Sequence, residues 1–312
     1  MMGLMKVLVT GASGLLGRSV MQKARAHEDW DVIGTAFSRA RAPLEKLDLT
    51  DELQVARFFA EYRPDIVLHL AAERRPDVVD REKPRAWSIN VDAARIVARE
   101  CARRGAFMVL ASTDYVFDGS SPPYFPSSPV HPLNEYGSMK LEAERSVESV
   151  FASAGRAGSR LCMGAVLRIP LLYGPVEYLE ECSVTELARV LKTSEPVKVE
   201  HWAQRYPAHV DDVADAFLRV ADALVGGNHD YGLFPRFLLS GSEAYTKYEM
   251  VRAMAMALGL SCSHVQPDPS PPQGAPRPRD CRMDTSLLAS LGWKQEIRFS
   301  DAIGPILKPF FS

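Results

Sequence analysis

Several things are scarce in this 312-residue chain, and each scarcity excludes something. Cys101, Cys162, Cys182, Cys262 and Cys281 are odd in number, far apart and never spaced C-x-x-C. That pattern argues against a disulfide framework or a zinc knuckle and predicts reduced thiols in a cytoplasmic setting. No apolar run approaches the roughly 18 residues that a membrane-spanning helix needs, so no membrane partner is expected. The N-terminus runs straight into a strand-like segment, without a separate apolar region and small-residue cleavage site, so no export signal is expected. Excess positive charge is also missing. Lys+Arg number 37 against 39 Asp+Glu, a formal charge of −2, which leaves no general field for nucleic acid. The seven histidines lack metal-ligand spacing, and no metal site is expected.

What is present is alternation. Strand-like segments at Lys6–Thr10, Asp31–Thr35, Asp65–Leu70, Ala106–Ala111 and Val166–Ile169 alternate with helix-like Leu15–Ala26, Asp51–Tyr62 and a helical region around Trp87–Arg104. Near-continuous apolar strands separated by helices predict an α/β fold, a doubly wound parallel sheet covered on both faces. A ligand is expected at the carboxyl ends of the strands, at the switch point of this Rossmann arrangement. Two segments break the pattern. Ala152–Arg160 (ASAGRAGSR) reads as a flexible surface loop. Gln266–Arg279 carries too many prolines for helix or central strand and must be extended. It is either a disordered linker or an ordered strap across a pocket, where Arg277 and Arg279 would suit an anion.

Directly after the first strand, Thr10–Gly17 reads TGASGLLG. A strand before it and a helix after it supply the context that a glycine triplet needs to read as a dinucleotide loop. Gly11 permits the tight turn, Gly14 lets backbone amides approach a pyrophosphate, and Gly17 permits close helix–strand packing. The helix N-terminus then offers unpaired N–H groups to phosphate. The second strand runs out into Phe37-Ser38-Arg39-Ala40-Arg41, with no carboxylate to hold a ribose 2′-hydroxyl. Arginine matches a 2′-phosphate, so NADP is favoured over NAD. Asp48 and Leu49 follow where the adenine edge is expected.

Further on, Thr113 ends the fourth strand, and Tyr136 and Lys140 lie four apart, on one helical face. A nearby ammonium is expected to stabilise phenolate and lower the Tyr136 pKa, suiting Tyr136 to acid–base work near neutrality. Thr113 is placed to hydrogen-bond the substrate oxygen. Asp211 or Asp212 is expected to N-cap the amphipathic helix that follows, with His209 as a hydrogen-bonded pocket wall. Trp202 reads equally as a cleft wall or as core.

The glycine loop, Ser112–Gly119 (STDYVFDG) and Tyr136–Lys140 (YGSMK) together resemble the extended short-chain dehydrogenase/reductases, in the dTDP-4-dehydrorhamnose reductase branch. A narrower resemblance rests on Leu70–Val79 (LAAERRPDVV), Leu167–Gly174 (LRIPLLYG), His201–Val210 (HWAQRYPAHV), Thr246–Met250 (TKYEM) and Arg277–Arg279 (RPR). These blocks are similar to the regulatory β subunits of methionine adenosyltransferase, and the likeness covers nearly the whole chain.

The resemblance implies cofactor contacts at Ser13, Gly14, Leu15, Leu16, Phe37, Ser38, Arg39, Asp48, Leu49, Leu70, Ala71, Ala72, Arg74, Tyr136, Lys140 and Leu172. It places the reductases' acid–base group on Thr113, Tyr136 and Lys140, all present here. Two activities follow as expectations. The first is an NADP(H)-binding regulatory subunit that docks onto the methionine adenosyltransferase catalytic subunit and modulates S-adenosylmethionine synthesis. The alternative is an NADPH-dependent reductase of a nucleotide-linked 4-keto sugar, with a nucleotide-sugar ligand. The expected division is 1–176 with 202–236 for the NADP-binding domain, and 177–201 with 237–312 for a smaller, discontinuous C-terminal α/β domain. The sequence stops at Ser312, short of the longer tail of those regulatory subunits, a departure that bears on how a partner would dock.

Overall fold

The computed structural model describes residues 4–156, 164–227, 231–232 and 234–311. The chain opens with β1 (Met5–Thr10), α1 (Leu15–Arg25), β2 (Trp30–Ala36), a short β3 (Glu45–Lys46) and α2 (Glu52–Tyr62). Next come β4 (Ile66–His69), the short helices α3 (Pro76–Arg81) and α4 (Lys83–Trp87), then α5 (Ala93–Arg104), β5 (Phe107–Thr113), α6 (Glu135–Arg156) and β6 (Gly164–Ile169). The remainder holds β7 (Leu172–Tyr173), β8 (Val197–Glu200), β9 (Ala208–His209), α7 (Val210–Val225) and β10 (Arg236–Leu238). It ends with α8 (Lys247–Leu258), β11 (Val265–Asp268), α9 (Ser286–Ala289) and α10 (Phe299–Leu307).

Seven strands form one parallel sheet in the order β10-β6-β5-β4-β1-β2-β3. Strand order reverses between β1 and β4, which is the switch point the sequence predicts. Alternation along β1 explains the two layers. Val7 and Val9 face a core shared with Val20, Val213 and Phe217 of α1 and α7. Leu8 faces the opposite core, with Phe59, Val97 and Val147 of α2, α5 and α6. A third cluster, with Tyr173, Leu179, Val184, Met250, Phe299 and Leu307, forms the interior of the smaller C-terminal part. There β8 and β11 pair in parallel.

The large sheet runs past residue 236, because Phe237 and Leu238 continue β10 beside β6. Leu288 and Trp293 likewise pack into the α1–α7 core rather than the smaller one.

Two sequence expectations need correction. Ala152–Arg156 continues helix α6 and is not loop; alanine and serine extend the helical ladder, with Ser153 Oγ donating back to the Ser149 carbonyl at 2.8 Å. The rest of that predicted loop, 157–160, lies outside the described residues. Helix α7 is capped by His209, whose Nδ1 accepts the Asp211 amide at 3.2 Å. Asp211 instead accepts from Ser19 Oγ at 2.6 Å, and buried Asp212 accepts from the Glu296 and Ile297 amides at 3.2 and 3.0 Å. Of the two readings open for the proline-rich segment, the ordered strap is the one the fold adopts. Its first residues pair in β11, Asn134 Nδ2 donates to the Pro276 carbonyl at 2.8 Å, and the Gln204 amide donates to Arg279 O at 2.7 Å.

Candidate functional site

The site assembles where the carboxyl ends of β1, β4 and β5 meet. Gly11 adopts φ +69°, and a Cβ there would stand 2.8 Å from the Ala71 amide nitrogen, so the glycine turn packs directly on the Leu70–Ala72 segment. A Cβ on Gly17 would stand 2.2 Å from Gly11 O, so this glycine closes α1 against the loop. Gly14 is the N-cap of α1, and neither a side-chain cap nor an acidic first turn occupies that end. Among the described residues, the leading amides of α1 are therefore left to a ligand, and the loop fits a dinucleotide's phosphates.

Local hydrogen bonds hold the neighbouring strand end in place. Thr10 Oγ1 bonds His69 Nδ1 at 3.0 Å and accepts the Leu70 amide at 3.2 Å. Asn90, on a π-helical stretch (Ser88–Asp92) between α4 and α5, clamps Glu73 with two bonds of 2.8 and 3.0 Å. The sequence reading runs straight through this stretch as helix and so misses Asn90.

Most of the remaining expected cofactor residues fall in two groups. Ser13, Leu15, Leu70, Ala71, Ala72 and Leu172 are all half-buried around the glycine loop and the adjoining strand ends. At the end of β2, Phe37, Ser38 and Arg39 are exposed, and Lys46 Nζ lies over the Phe37 ring. Leu16 and Leu49 are core residues, buried in the two opposite layers. The Asp48 carboxylate accepts from the Thr50 amide and hydroxyl at 2.9 and 2.6 Å, within its own turn. Arg74 reaches across the cleft, and its Nη2 donates to the Glu181 carbonyl.

The second constellation lies on β5 and α6. Thr113 Oγ1 donates to Asp114 Oδ1 at 3.0 Å and accepts the Tyr115 amide at 3.2 Å, and its side chain acts on Tyr136. Gly137 lets α6 start here, since a Cβ would stand 2.2 Å from Tyr115 O. Asn134 caps the helix by accepting the Gly137 amide at 2.9 Å.

Electrostatics differ from expectation. Burial raises the Tyr136 hydroxyl above its ordinary pKa, and Asp114 adds to the rise, while the Thr113 hydrogen bond opposes it. The lowering that the sequence reading expects from Lys140 is therefore not what the fold produces. Burial lowers the Lys140 ammonium to about 8 against the pull of Glu144. Burial also lowers His69 to about 3, with Lys140 adding to the effect, and lifts Asp114 to about 7. Tyr136 thus holds its proton at neutral pH, with desolvation the largest influence on it.

Of the far wall, the sequence reading offers Arg277 of the strap to an anion but gives Arg205 and Lys247 no such role. Arg205 pairs with Glu200 at 2.7 Å, and Arg277 of the strap with Asp77 at 3.3 Å. Burial lowers Lys247, and Arg205 and Arg277 lower it further. The same two arginines act on Tyr115, and Arg205 acts on Asp114, so these cations lie beside the residues that follow Thr113. Trp202 is half-buried and not core, its amide donating to Glu200 Oε1 at 2.7 Å. Among the described residues no group of His, Cys, Asp and Glu is placed to hold a metal ion, and no helix is long and apolar enough to cross a membrane.

Comparison with known proteins matches residues 5–311 to the model of the RmlD substrate binding domain family. The methionine adenosyltransferase 2 subunit beta of Pongo abelii is 42% identical over 307 residues, 98% of this chain and 88% of that protein. A dTDP-4-dehydrorhamnose reductase structure from Clostridium acetobutylicum superposes with a TM-score of 0.79 at 25% identity, covering 99% of this chain and 100% of that one. That of the Bacillus anthracis dTDP-4-dehydrorhamnose reductase in complex with NADP gives 0.76 at 23% identity, covering 98% of each chain.

Proposed function

The chain belongs to the RmlD substrate binding domain family and, within it, to the family of methionine adenosyltransferase 2 β subunits, and from that premise we propose that it is an NADP(H)-binding regulatory subunit of a cytoplasmic methionine adenosyltransferase. In this reading it docks on the catalytic subunit and modulates S-adenosylmethionine synthesis. The observation that carries it is the extent of identity: 42% is maintained over 307 residues, so it takes in the strap and the smaller C-terminal part as well as the glycine loop. A shared fold alone would not require that.

The cofactor reading rests on the loop geometry and on Arg39, which follows β2 in a segment (residues 37–41) that itself carries no carboxylate. Bound NADPH would supply a hydride. Gly11, Gly14 and Gly17 would shape the phosphate cradle, Ser13, Leu15, Leu70, Ala71, Ala72 and Leu172 its walls, and Arg39 the 2′-phosphate contact. We assign 1–176 and 202–236 to this unit, with β10 extending it to Leu238, and 177–201 with the rest of the chain to the smaller unit.

Co-purification with a methionine adenosyltransferase catalytic subunit, and S-adenosylmethionine synthesis with and without this chain, test the reading. Complex formation with a changed rate or substrate affinity is the expected result. Absence of both would end it.

A second reading, an NADPH-dependent reductase of a nucleotide-linked 4-keto sugar, has its own support in the assembled Thr113–Tyr136–Lys140 group. Tyr136 holds its proton at neutral pH and would give it to a carbonyl oxygen that Thr113 orients. Lys140 sits buried one turn along the same helix and keeps its charge near neutrality. Arg205, Lys247 and Arg277 would take a diphosphate. NADPH oxidation with a dTDP-4-keto sugar, beside an active reductase as control, decides this reading.

A further inference from the structure

Three arginines that flank the glycine loop converge on one acidic residue of the smaller unit. Glu181 ends a 3-10 turn (Leu179–Glu181) and is only 4% exposed. Arg18 grips both of its oxygens, Nη1 to Oε1 at 2.6 Å and Nη2 to Oε2 at 2.9 Å. The Glu177 amide donates to Oε2 at 3.0 Å, and Arg74 donates to the Glu181 carbonyl. Burial pushes the Glu181 carboxyl upward, but Arg18 and that amide outweigh it and hold the group ionised. Arg18 is itself tied to the loop, since its Nη1 also donates to Ser13 O at 3.3 Å. The fourth member is Arg39, whose Nη1 reaches Glu181 Oε1 at 3.4 Å while its side chain stays 48% exposed.

We propose that Glu181 positions Arg39 for the 2′-phosphate of NADP and so sets the preference of this site for NADP over NAD. The inference rests on the cofactor reading above and deepens it. Two features of the geometry carry it. Arg39 meets Glu181 through one nitrogen, at long range, which leaves the rest of its fork for bidentate contact with a phosphate. Arg18 already neutralises Glu181, so the carboxylate orients Arg39 while repelling an incoming phosphate little. An exposed arginine otherwise spends rotamer freedom on binding, and a fixed anchor removes part of that cost. A single long contact from a half-exposed Arg39 adds little to stability, so its effect belongs in recognition.

The test is calorimetric titration of NADP and of NAD into the full chain and into Glu181→Gln, Arg39→Ala and the double variant. Glu181→Gln is expected to lose NADP affinity by roughly fivefold to twentyfold, with NAD affinity changed less than about twofold. In the Arg39→Ala background the same substitution is expected to leave the NADP-to-NAD ratio where Arg39→Ala alone put it. Unchanged NAD binding also shows that the loop is folded. Equal losses for both cofactors would make Glu181 a general support of the loop and overturn the proposal. An unchanged or tighter NADP affinity would overturn it too. If the unsubstituted chain bound NADP and NAD alike, the cofactor reading itself would fall; if it preferred NADP and only Arg39→Ala removed that preference, the reading would stand without Glu181.

Discussion

At the scale of single residues, burial overrides neighbouring charge at this site. The spacing of Tyr136 and Lys140 is legible in the sequence, and so is the chemistry it suits, but the direction of the tyrosine shift is not. That depends on how much water the fold removes, which no local pattern states. Asp114 offers the sharpest measurement. Its carboxyl titrates near 7 in the folded chain against an ordinary 3.8, because burial disfavours its charge more than the Thr113 hydrogen bond favours it. Between about pH 4 and 7 the folded state therefore binds more protons than the unfolded one, and this residue's contribution to stability falls as pH rises through that window. Asp114→Asn cannot ionise and still accepts the Thr113 hydroxyl. It should melt above the parent chain at pH 8, with the gap closing toward pH 4, in thermal unfolding followed across that range. A gap that did not vary with pH would contradict the assignment.

Elements show where local sequence suffices and where it does not. Helix α1 follows from its own residues, with glycines at the loop and Leu16, Val20, Met21 and Ala24 buried on its inner face. Its glycines are nonetheless unequal in a way the motif hides. A Cβ at position 17 meets backbone at 2.2 and 2.8 Å, which cannot give way like a side chain, whereas at position 14 the nearest atom is 3.2 Å away. Gly17→Ala should cost about 1–3 kcal/mol in urea unfolding, with cofactor affinity lost alongside, and Gly14→Ala should cost less stability. The reverse order would refute this account of the loop. Helix α6 outran its expected end because Gly155, a poor helix residue, weighs less than the hydrogen bonds of the helix already running through it. The cap of α7 was misassigned because two aspartates are better N-caps by composition than the histidine before them. Only the fold shows that Asp211 and Asp212 are already engaged by Ser19 and by residues 296–297.

The whole molecule decides what joins the two units. Asn134 serves both ends of one such join, accepting the Gly137 amide to start α6 and donating to Pro276 of the strap. Asn134→Asp keeps the first bond and replaces the second with a carboxylate facing a carbonyl. Helix content should persist by circular dichroism while limited proteolysis, read by mass spectrometry, gains cuts within 269–282. A strap as resistant as in the parent chain would show that Asn134 does not hold it. The parallel doubly wound sheet, the glycine loop, the lack of a carboxylate after β2 and the Thr113–Tyr136–Lys140 set were all determined by the sequence itself. Each is a pattern within a few residues, where periodicity, turn chemistry and helical spacing act directly. Tertiary structure alone decided that the proline-rich segment is a strap, that Tyr136 keeps its proton, and that Arg18, Arg39 and Arg74 meet on Glu181. Those outcomes rest on desolvation and on contacts between residues as many as 163 positions apart, and the folded chain creates both.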